Sequence, residues 1–165
     1  MVKPKVAIVM GSDSDLPVVE KALDILERFG VDKEVRVISA HRTPDKAVEF
    51  ARGAHQRGVE VIIAAAGKAA HLPGVLAALT AIPVIGIPVK SSTMDGLDSL
   101  LSIVQMPKGI PVATVAINGS ENAALLAVQM LALKYPELYE KLEAYRQEMA
   151  DRVNKKDKEI KERFQ

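Results

Sequence analysis

Short runs of β-branched and other apolar residues alternate along the chain with segments in which apolar residues recur every three or four positions. A continuous apolar run is typical of a buried strand, and the wider spacing is typical of an amphipathic helix. The chain carries five such pairs of strand and helix. They are predicted at 6–9 and 16–29, 35–38 and 44–56, 59–64 and 72–80, 84–87 and 96–105, and 111–117 and 122–133.

The order of these elements predicts the architecture. No two-residue hairpin turn separates consecutive strands, so each strand is expected to lead through a helix to a parallel strand by a right-handed crossover. This predicts an α/β fold over residues 1–133, a three-layer αβα sandwich with a central parallel sheet that is flavodoxin- or Rossmann-like. Ligands of such sheets bind beyond the carboxyl ends of the strands.

The second half of this region has few charged residues. Residues 61–133 contain only six of the chain's 22 basic and 21 acidic residues. The predicted helix 122–133 is apolar almost all round, whereas a helix on one face of a sheet needs a single apolar stripe. Its second side is therefore expected to be covered by another subunit, which predicts a homo-oligomer.

The C-terminal segment 134–165 has a different composition, with nine basic and eight acidic residues. Its apolar residues follow a helical spacing, which predicts an amphipathic extension that packs on its own core or on neighbouring subunits. Beyond about residue 154 the apolar stripe thins, and a solvated charged helix is expected there. The stripe consists of Tyr135, Leu138, Tyr139, Leu142, Tyr145, Met149 and Val153.

Composition narrows the range of functions. A chain of 165 residues with 48% apolar residues and a net charge of +1 fits one ordinary domain without an overall field to attract nucleic acid. The absence of cysteine excludes a disulfide framework and a thiolate nucleophile. Proline and glycine interrupt the longest uncharged run, 69–89, so it is expected to be core. We therefore expect a cytoplasmic protein with no nucleic-acid or membrane partner, in which a metal could be bound only by the three histidines and by carboxylates.

Residues that can carry chemistry cluster where the predicted strands end. After the first strand, 11–17 reads Gly-Ser-Asp-Ser-Asp-Leu-Pro. Ser12 and Ser14, with the free amides of the following helical turn, can hold a phosphate, and Asp15 suits the hydroxyl donors of a ribose. The spacing matches neither a dinucleotide-binding nor a P-loop motif, and simple N-capping of the helix would explain the same residues.

The second strand is followed by the segment 39–45, Ser-Ala-His-Arg-Thr-Pro-Asp. Pro44 suits the first position of a helix and Thr43 its cap, which leaves His41 and Arg42 just outside the helix. Arg42 offers a planar fork for a phosphate or carboxylate, and a neutral His41 can accept and return a proton near pH 7. A loop histidine with a satisfied hydrogen bond, beside a surface arginine, is the alternative interpretation.

Two further loops follow the third and fourth strands. In 64–74, small residues allow a ligand to approach closely, and the amides of Ala66 and Gly67 can meet its head group. His71 precedes a helix and is expected to orient this loop. The polar run 88–98 is expected to form a wall or lid of the same site. No G-x-S-x-G motif is present, so a hydrolase triad is not predicted.

Several of these segments occur together in one known family. They are GSDSD at 11–15, SAHRTPD at 39–45, AAHLPG at 69–74, PVIGIPV at 83–89, GLDSLLSIVQMP at 96–107 and PVATVAI at 111–117. The chain resembles class I of the PurE family, the N5-carboxyaminoimidazole ribonucleotide mutases. This resemblance implies a step of de novo purine synthesis that forms 4-carboxy-5-aminoimidazole ribonucleotide without metal, ATP or biotin. It also implies a homo-octamer in which the C-terminal helix reaches across neighbours.

The resemblance further implies roles for individual residues. His41 matches the family's general acid and base, and Asp15 the residue that takes the ribose hydroxyls. The positions that hold the phosphoribosyl group are Ser12, Ser14, Ser39 and Arg42. The positions that close over the imidazole and the mobile carboxylate are Ala66, Gly67, His71 and Leu72. Lys68 departs from the family, which usually has glycine there, and adds a cation beside this turn.

Two other functions stay open at the level of sequence. The other branch of the same family carboxylates aminoimidazole ribonucleotide with free carbon dioxide, although Arg42 and the AAHLPG segment favour the mutase. A non-catalytic nucleotide-binding or receiver-like module would share the fold. A receiver needs a phosphoacceptor aspartate at the end of its middle strand, where this chain has alanine at 64–66.

Overall fold

The predicted strands and helices assemble into one parallel sheet covered on both faces. In the computed structural model, which describes residues 3–165, the sheet has five strands. They are β1 (Lys5–Met10), β2 (Asp32–Val37), β3 (Val61–Gly67), β4 (Val84–Val89) and β5 (Ala113–Thr114). The helices are α1 (Leu16–Phe29), α2 (Pro44–Gly53), α3 (Leu72–Ala77), α4 (Leu97–Val104), α5 (Ser120–Ala132) and α6 (Pro136–Phe164).

The strands lie in the order β2-β1-β3-β4-β5, and every neighbouring pair is parallel. This is the flavodoxin-like order, in which the chain turns back beside β1 and the sheet then grows in the opposite direction. The predicted α/β sandwich with a C-terminal helix is therefore confirmed. Sheets of this type leave a crevice at the carboxyl ends of the strands on either side of the reversal, here β1 and β3.

Each face of the sheet has its own apolar core, because side chains alternate between the faces along a strand. On one face, Ile8 and Ile63 pack with Leu26 of α1 and with the buried residues of α5. On the other face, Ile62 packs with Phe50 of α2 and with side chains of α3 and α4. β4 is buried along its whole length, as expected for a central parallel strand.

The two edge strands depart from the predicted bounds, as does β3, which spans Val61–Gly67 instead of the predicted 59–64. β2 begins at Asp32, before the predicted start at 35, because its pairing with Lys5 of β1 includes polar residues that the apolar pattern does not register. β5 is shorter than the predicted 111–117 and pairs only with Ile85 and Gly86. Pro111 cannot donate to a ladder. Apolar patterns report burial, whereas an edge strand is defined by pairing.

Helix α5 finds a partner for its second side within the same chain. Its buried residues, among them Ala124 and Val128, belong to the core that also contains α1 and Leu138 and Leu142 of α6. The core on this face of the sheet and the N-terminal part of α6 therefore cover much of its circumference. The all-round apolar character of this helix does not by itself require another subunit.

Helix α6 is docked through its first four turns and exposed beyond them. The Tyr145 ring lies 5.8 Å from that of Phe29, and Nζ of Lys141 donates to the carbonyl of Phe29 at 2.9 Å. Farther along, Val153 is 65% exposed. The extension packs on its own core as far as about Tyr145, and its packing on neighbouring subunits stays a prediction. Within residues 3–165, none of the helices has the length and apolarity to cross a membrane.

Candidate active site

The loops that follow four strands surround a single cavity at the carboxyl edge of the sheet. Its volume is about 610 Å³, and it opens where β1 and β3 lie side by side. Every residue that the sequence analysis assigned to a site lines it: Ser12, Ser14, Asp15, Ser39, His41, Arg42, Ala66, Gly67, His71 and Leu72. The structure brings these residues together, while their individual roles stay predictions.

The β1 loop is folded by its own side chains. The Oγ of Ser12 accepts from the amide of Ser14 at 3.3 Å and from its hydroxyl at 2.9 Å. The carboxylate of Asp15 accepts from the amide of Ser12 at 3.2 Å. These reciprocal bonds cap a short 3₁₀ turn at Asp13–Asp15 that leads into α1. The predicted alternative, in which these residues cap the helical turn, is thus confirmed. The same residues also line the cavity.

Asp15 is the buried carboxyl group of the cavity, with only 8% of its surface exposed. Burial raises the pKa of Asp15, because desolvation penalises the carboxylate. The hydrogen bond from the Ser12 amide acts in the opposite direction, and the nearby Asp13 adds to the increase in pKa. A buried acceptor beside polar hydroxyl groups matches the chemistry predicted for a ribose partner.

The β2 loop is closed by a residue that was predicted to cap a helix. Thr43 does not cap α2 with its side chain. Its Oγ1 instead accepts from the amide of Ser39 at 3.1 Å and donates to the Ser39 carbonyl at 2.9 Å. The proline at the first turn of α2 already removes one free amide, so the threonine is available to close the loop.

Arg42 is held over the loop by neutral oxygen atoms. Its backbone amide donates to Oγ of Ser39 at 3.1 Å, and its Nη2 donates to the carbonyl of Gly11 at 3.3 Å. Its Nε also donates to Oγ of Ser39 at 3.4 Å, so these guanidinium bonds go to uncharged oxygens, in a cavity that Ser12 and Ser14 also line. An anionic group such as a phosphate fits this corner of the cavity.

His41 and His71 form a hydrogen-bonded pair across the cavity. The Nε2 of His41 lies 2.8 Å from the Nδ1 of His71, and the rings meet edge to face at 82° with centroids 4.9 Å apart. One of the two nitrogens must donate and the other must accept. The bond can therefore form when both rings are neutral or when one of them is an imidazolium. It cannot form when both rings are imidazolium, because neither nitrogen could then accept. The pair can store and release one proton.

The β3 loop brings small residues against the neighbouring strand. Gly67 pairs with Val89 of β4, and a Cβ at Gly67 would lie 3.5 Å from the carbonyl oxygen of Val89. The next residue, Lys68, has a positive φ of 56°. The chain then enters α3 at Leu72, which is buried beneath the cavity. Main chain and small side chains thus form this wall, as the sequence predicted.

The fourth wall contains residues that the sequence analysis described as a lid without assigning them individually. They are Val89, Lys90, Ser91 and Ser92. The Lys90 amide donates to Oδ1 of Asn118 at 2.9 Å, and Oγ of Ser91 donates to Asp98 at 2.8 Å. Their position at the end of β4 could have identified these residues from the sequence, because the carboxyl ends of neighbouring parallel strands lie at the same edge of the sheet.

The charges of the cavity favour an anionic ligand. Arg42, Lys68 and Lys90 line it, against the single buried carboxyl group of Asp15. No cluster of three or more histidine, aspartate or glutamate residues suited to a metal ion occurs among residues 3–165. The arrangement offers an anion site at Arg42, a hydroxyl acceptor at Asp15 and a proton-handling pair at His41 and His71.

Known proteins are similar to this chain at high sequence identity over most of its length. A family model described as AIR carboxylase matches residues 5–152. An N5-carboxyaminoimidazole ribonucleotide mutase of Pyrococcus abyssi is 68% identical over 146 residues, which cover 88% of this chain and 84% of that protein. The protein of the same name from Thermotoga maritima is 57% identical over 96% of this chain and 93% of its own length.

Two further relatives add a second name and a solved structure. The chloroplastic phosphoribosylaminoimidazole carboxylase of Vigna aconitifolia is 57% identical over 88% of this chain, a stretch that makes up 26% of the plant protein. The crystal structure of Treponema denticola PurE superposes with a TM-score of 0.87 at 30% identity, covering 96% of this chain and 99% of that one. The similarity thus includes the carboxyl edge of the sheet and all of its loops.

Proposed function

The chain belongs to the AIR carboxylase family, and we propose that it is a mutase that converts N5-carboxyaminoimidazole ribonucleotide to 4-carboxy-5-aminoimidazole ribonucleotide. The observation that carries the proposal is the hydrogen-bonded pair of His41 and His71 in a cation-lined cavity, in a chain whose closely similar relatives are named as that mutase. Moving a carboxylate from nitrogen to carbon requires one proton to be given and one to be taken, and the pair can do both.

The nucleotide part of the substrate binds at the β1 and β2 loops. The phosphate lies against Arg42 and the hydroxyls of Ser12, Ser14 and Ser39. Within residues 3–165 the guanidinium donates to the uncharged oxygens of Ser39 and Gly11 and forms no ion pair. The ribose hydroxyls donate to Asp15. This placement directs the imidazole toward the β3 loop, because that loop lies across the junction between β1 and β3 from the β1 and β2 loops.

The reaction proceeds by decarboxylation and recarboxylation. A proton from the histidine pair reaches N5 as the bond between N5 and the carbamate carbon breaks, which releases carbon dioxide and leaves aminoimidazole ribonucleotide. C4 then attacks the carbon dioxide and forms the new carbon–carbon bond. His41 removes the hydrogen from C4, which restores the aromatic ring and returns the proton to the pair. Atoms and charge balance over the cycle.

The β3 loop retains the intermediate gas. Ala66 and Leu72 give this wall an apolar surface, and Gly67 lets the main chain approach the heterocycle. Excluding bulk water keeps carbon dioxide beside C4, and holding both reactants together replaces a bimolecular encounter with an intramolecular step. The amides of Ala66 and Gly67 lie where they can meet the carboxylate before and after its transfer.

The carboxylase is the second candidate, favoured by the description of the family model and by the name of the plant relative. The test incubates the purified protein with N5-carboxyaminoimidazole ribonucleotide and, in parallel, with aminoimidazole ribonucleotide, without ATP and in heavy-carbon bicarbonate. Product is followed by ultraviolet absorbance and mass spectrometry. The mutase forms product whose carboxylate is unlabelled. A carboxylase acts on aminoimidazole ribonucleotide and incorporates label. A binding module forms product from neither nucleotide.

The protein is further proposed to act in the cytoplasm as a homo-octamer, in which the part of the 134–165 extension beyond about Tyr145 packs on neighbouring subunits. Apolar side chains that this chain leaves exposed support the assembly. On α4, Leu97, Leu101 and Val104 are about half exposed at helical spacing, and Val153 of α6 is exposed. Light scattering coupled to size exclusion tests the subunit number, and truncation after Arg146, which removes the exposed Met149 and Val153, is expected to lower it. An unchanged number of subunits after truncation contradicts the role of the extension in assembly.

A further inference from the structure

Lys68 has a backbone conformation that side chains rarely adopt. Its φ of 56° lies in the left-handed region, which costs free energy for a residue with a Cβ and none for glycine. Its carbonyl accepts from the amide of Ala70 at 2.8 Å and from Oγ of Ser102 at 3.5 Å, so both the turn and α4 hold it there. A strained lysine in a binding cavity points to a function of its side chain.

The charge of Lys68 is uncompensated within residues 3–165. The side chain lines the cavity, is exposed, and forms no ion pair with any carboxylate of these residues. Lys90, which lines the same cavity, is paired with Asp95 at 3.2 Å. Two uncompensated cations therefore face the ligand space, Lys68 and Arg42.

These two cations belong to different walls. Arg42 is bound to Ser39 and Gly11, which places it with the β1 and β2 loops. Lys68 follows β3 directly, shares its loop with His71, and is braced by Ser102 of α4. When Arg42 binds the phosphate, Lys68 therefore lies toward the histidine pair, where the heterocycle reacts.

We propose that the ammonium group of Lys68 binds the carboxylate that the reaction moves. The inference rests on the proposed function, because it takes the nucleotide phosphate as the partner of Arg42. An ammonium beside a carboxylate stabilises the carboxylated nucleotide and has no such partner in the decarboxylated one. Lys68 accordingly distinguishes 4-carboxy-5-aminoimidazole ribonucleotide from aminoimidazole ribonucleotide, which lacks only that group.

Titration calorimetry with these two nucleotides tests the proposal on the whole protein. Lys68→Gln is expected to weaken binding of the carboxylated nucleotide by about 10-fold or more, since a charge-assisted hydrogen bond is lost. Binding of aminoimidazole ribonucleotide should change by less than about twofold. Lys68→Arg should retain most of the affinity. Lys108→Gln, which removes the same charge from an exposed turn outside the cavity, controls for net charge.

Lys68→Gly separates the contribution of the lysine side chain to binding from the cost of the left-handed backbone to stability. Glycine relieves the strain at φ 56°, so Tm should rise by about 2–4 °C while the affinity for the carboxylated nucleotide falls as in Lys68→Gln. Equal losses for both nucleotides, or none for either, overturn the assignment of Lys68. If the unmodified protein binds both nucleotides but turns neither over, the proposed function fails independently of the binding result.

Discussion

The Nε2 of His41 lies 2.8 Å from the Nδ1 of His71, although the two residues follow strands that are not neighbours in the sheet. β1 lies between β2 and β3, so the two loops meet over its carboxyl end. A single proton joins the rings. Substitution of either histidine leaves the other without this partner, and the two substitutions differ in what they remove.

His41→Asn should reduce kcat by about 100-fold or more, because it removes general acid and base catalysis. His71→Asn should have a smaller effect of about 10-fold, since it removes the partner of His41 and leaves the proton-transferring ring in place. Steady-state kinetics with N5-carboxyaminoimidazole ribonucleotide measure both. His55→Asn serves as the control, because His55 lies outside this cavity. Retained turnover in His41→Asn contradicts the role of His41.

Asp15→Asn should stabilise the free protein and weaken substrate binding. Burial raises the pKa of Asp15, so the buried carboxylate destabilises the fold at neutral pH, and an amide oxygen can still accept from the Ser12 amide. Loss of a charged acceptor for the ribose should raise KM by about 10-fold. Thermal unfolding and kinetics provide the two measurements. A lower Tm at pH 7 would argue against this account of Asp15.

The raised pKa of Asp15 makes the stability of the folded protein depend on pH. The folded protein binds the Asp15 proton more tightly than the unfolded chain does, so the contribution of this group to stability decreases as pH rises through the window above its ordinary pKa of 3.8. Below that window the carboxyl group is protonated in both states. The excess stability of Asp15→Asn should therefore shrink as pH is lowered toward 3.8, and an excess independent of pH would exclude this cause.

Leu142→Ala should lower the free energy of unfolding by about 2–4 kcal/mol, because it opens a cavity where α6 meets the core. Leu142 is buried in the cluster that holds α1 and α5. Tyr139→Ala, on the exposed side of the same helix, is the matched control and should change stability by less than about 0.5 kcal/mol. Denaturant unfolding compares them. Equal losses would show that α6 does not dock through this stripe.

Gly96→Ala should damage the fourth wall of the cavity. Gly96 has a φ of 98°, and an added Cβ would lie 3.2 Å from the Cα of Lys90, a residue that lines the site. Gly58 has a similar φ of 76° with no atom within 4 Å, so Gly58→Ala isolates the backbone strain. Gly58→Ala should lose about 1 kcal/mol of stability. Gly96→Ala should lose more, because its Cβ would also lie 2.8 Å from Cγ2 of Ile117, and it alone should raise KM. An unchanged KM would mean that this wall does not contact substrate.

The sequence by itself determined the fold class, since alternating strands and helices without hairpin turns admit little besides a parallel sheet. It also placed the proposed site residues at the end of β3 or in the segments that follow β1, β2 and β3, which meet around one cavity because the carboxyl ends of parallel strands share one edge of the sheet. Motif resemblance supplied the chemistry expected of them. Edge-strand bounds were less accurate, as β5 shows, because pairing and not burial defines them.

Only the tertiary structure decided which of these residues touch. The His41–His71 bond depends on two loops meeting over β1, and the sequence analysis, which gave His71 an orienting role and a place over the imidazole, did not predict it. Thr43 closes its own loop instead of capping α2, and α5 is covered by α6 of the same chain. The left-handed backbone of Lys68 likewise follows from the turn and from Ser102 of α4. Contacts between distant segments depend on strand order and crossing geometry, which local patterns do not encode.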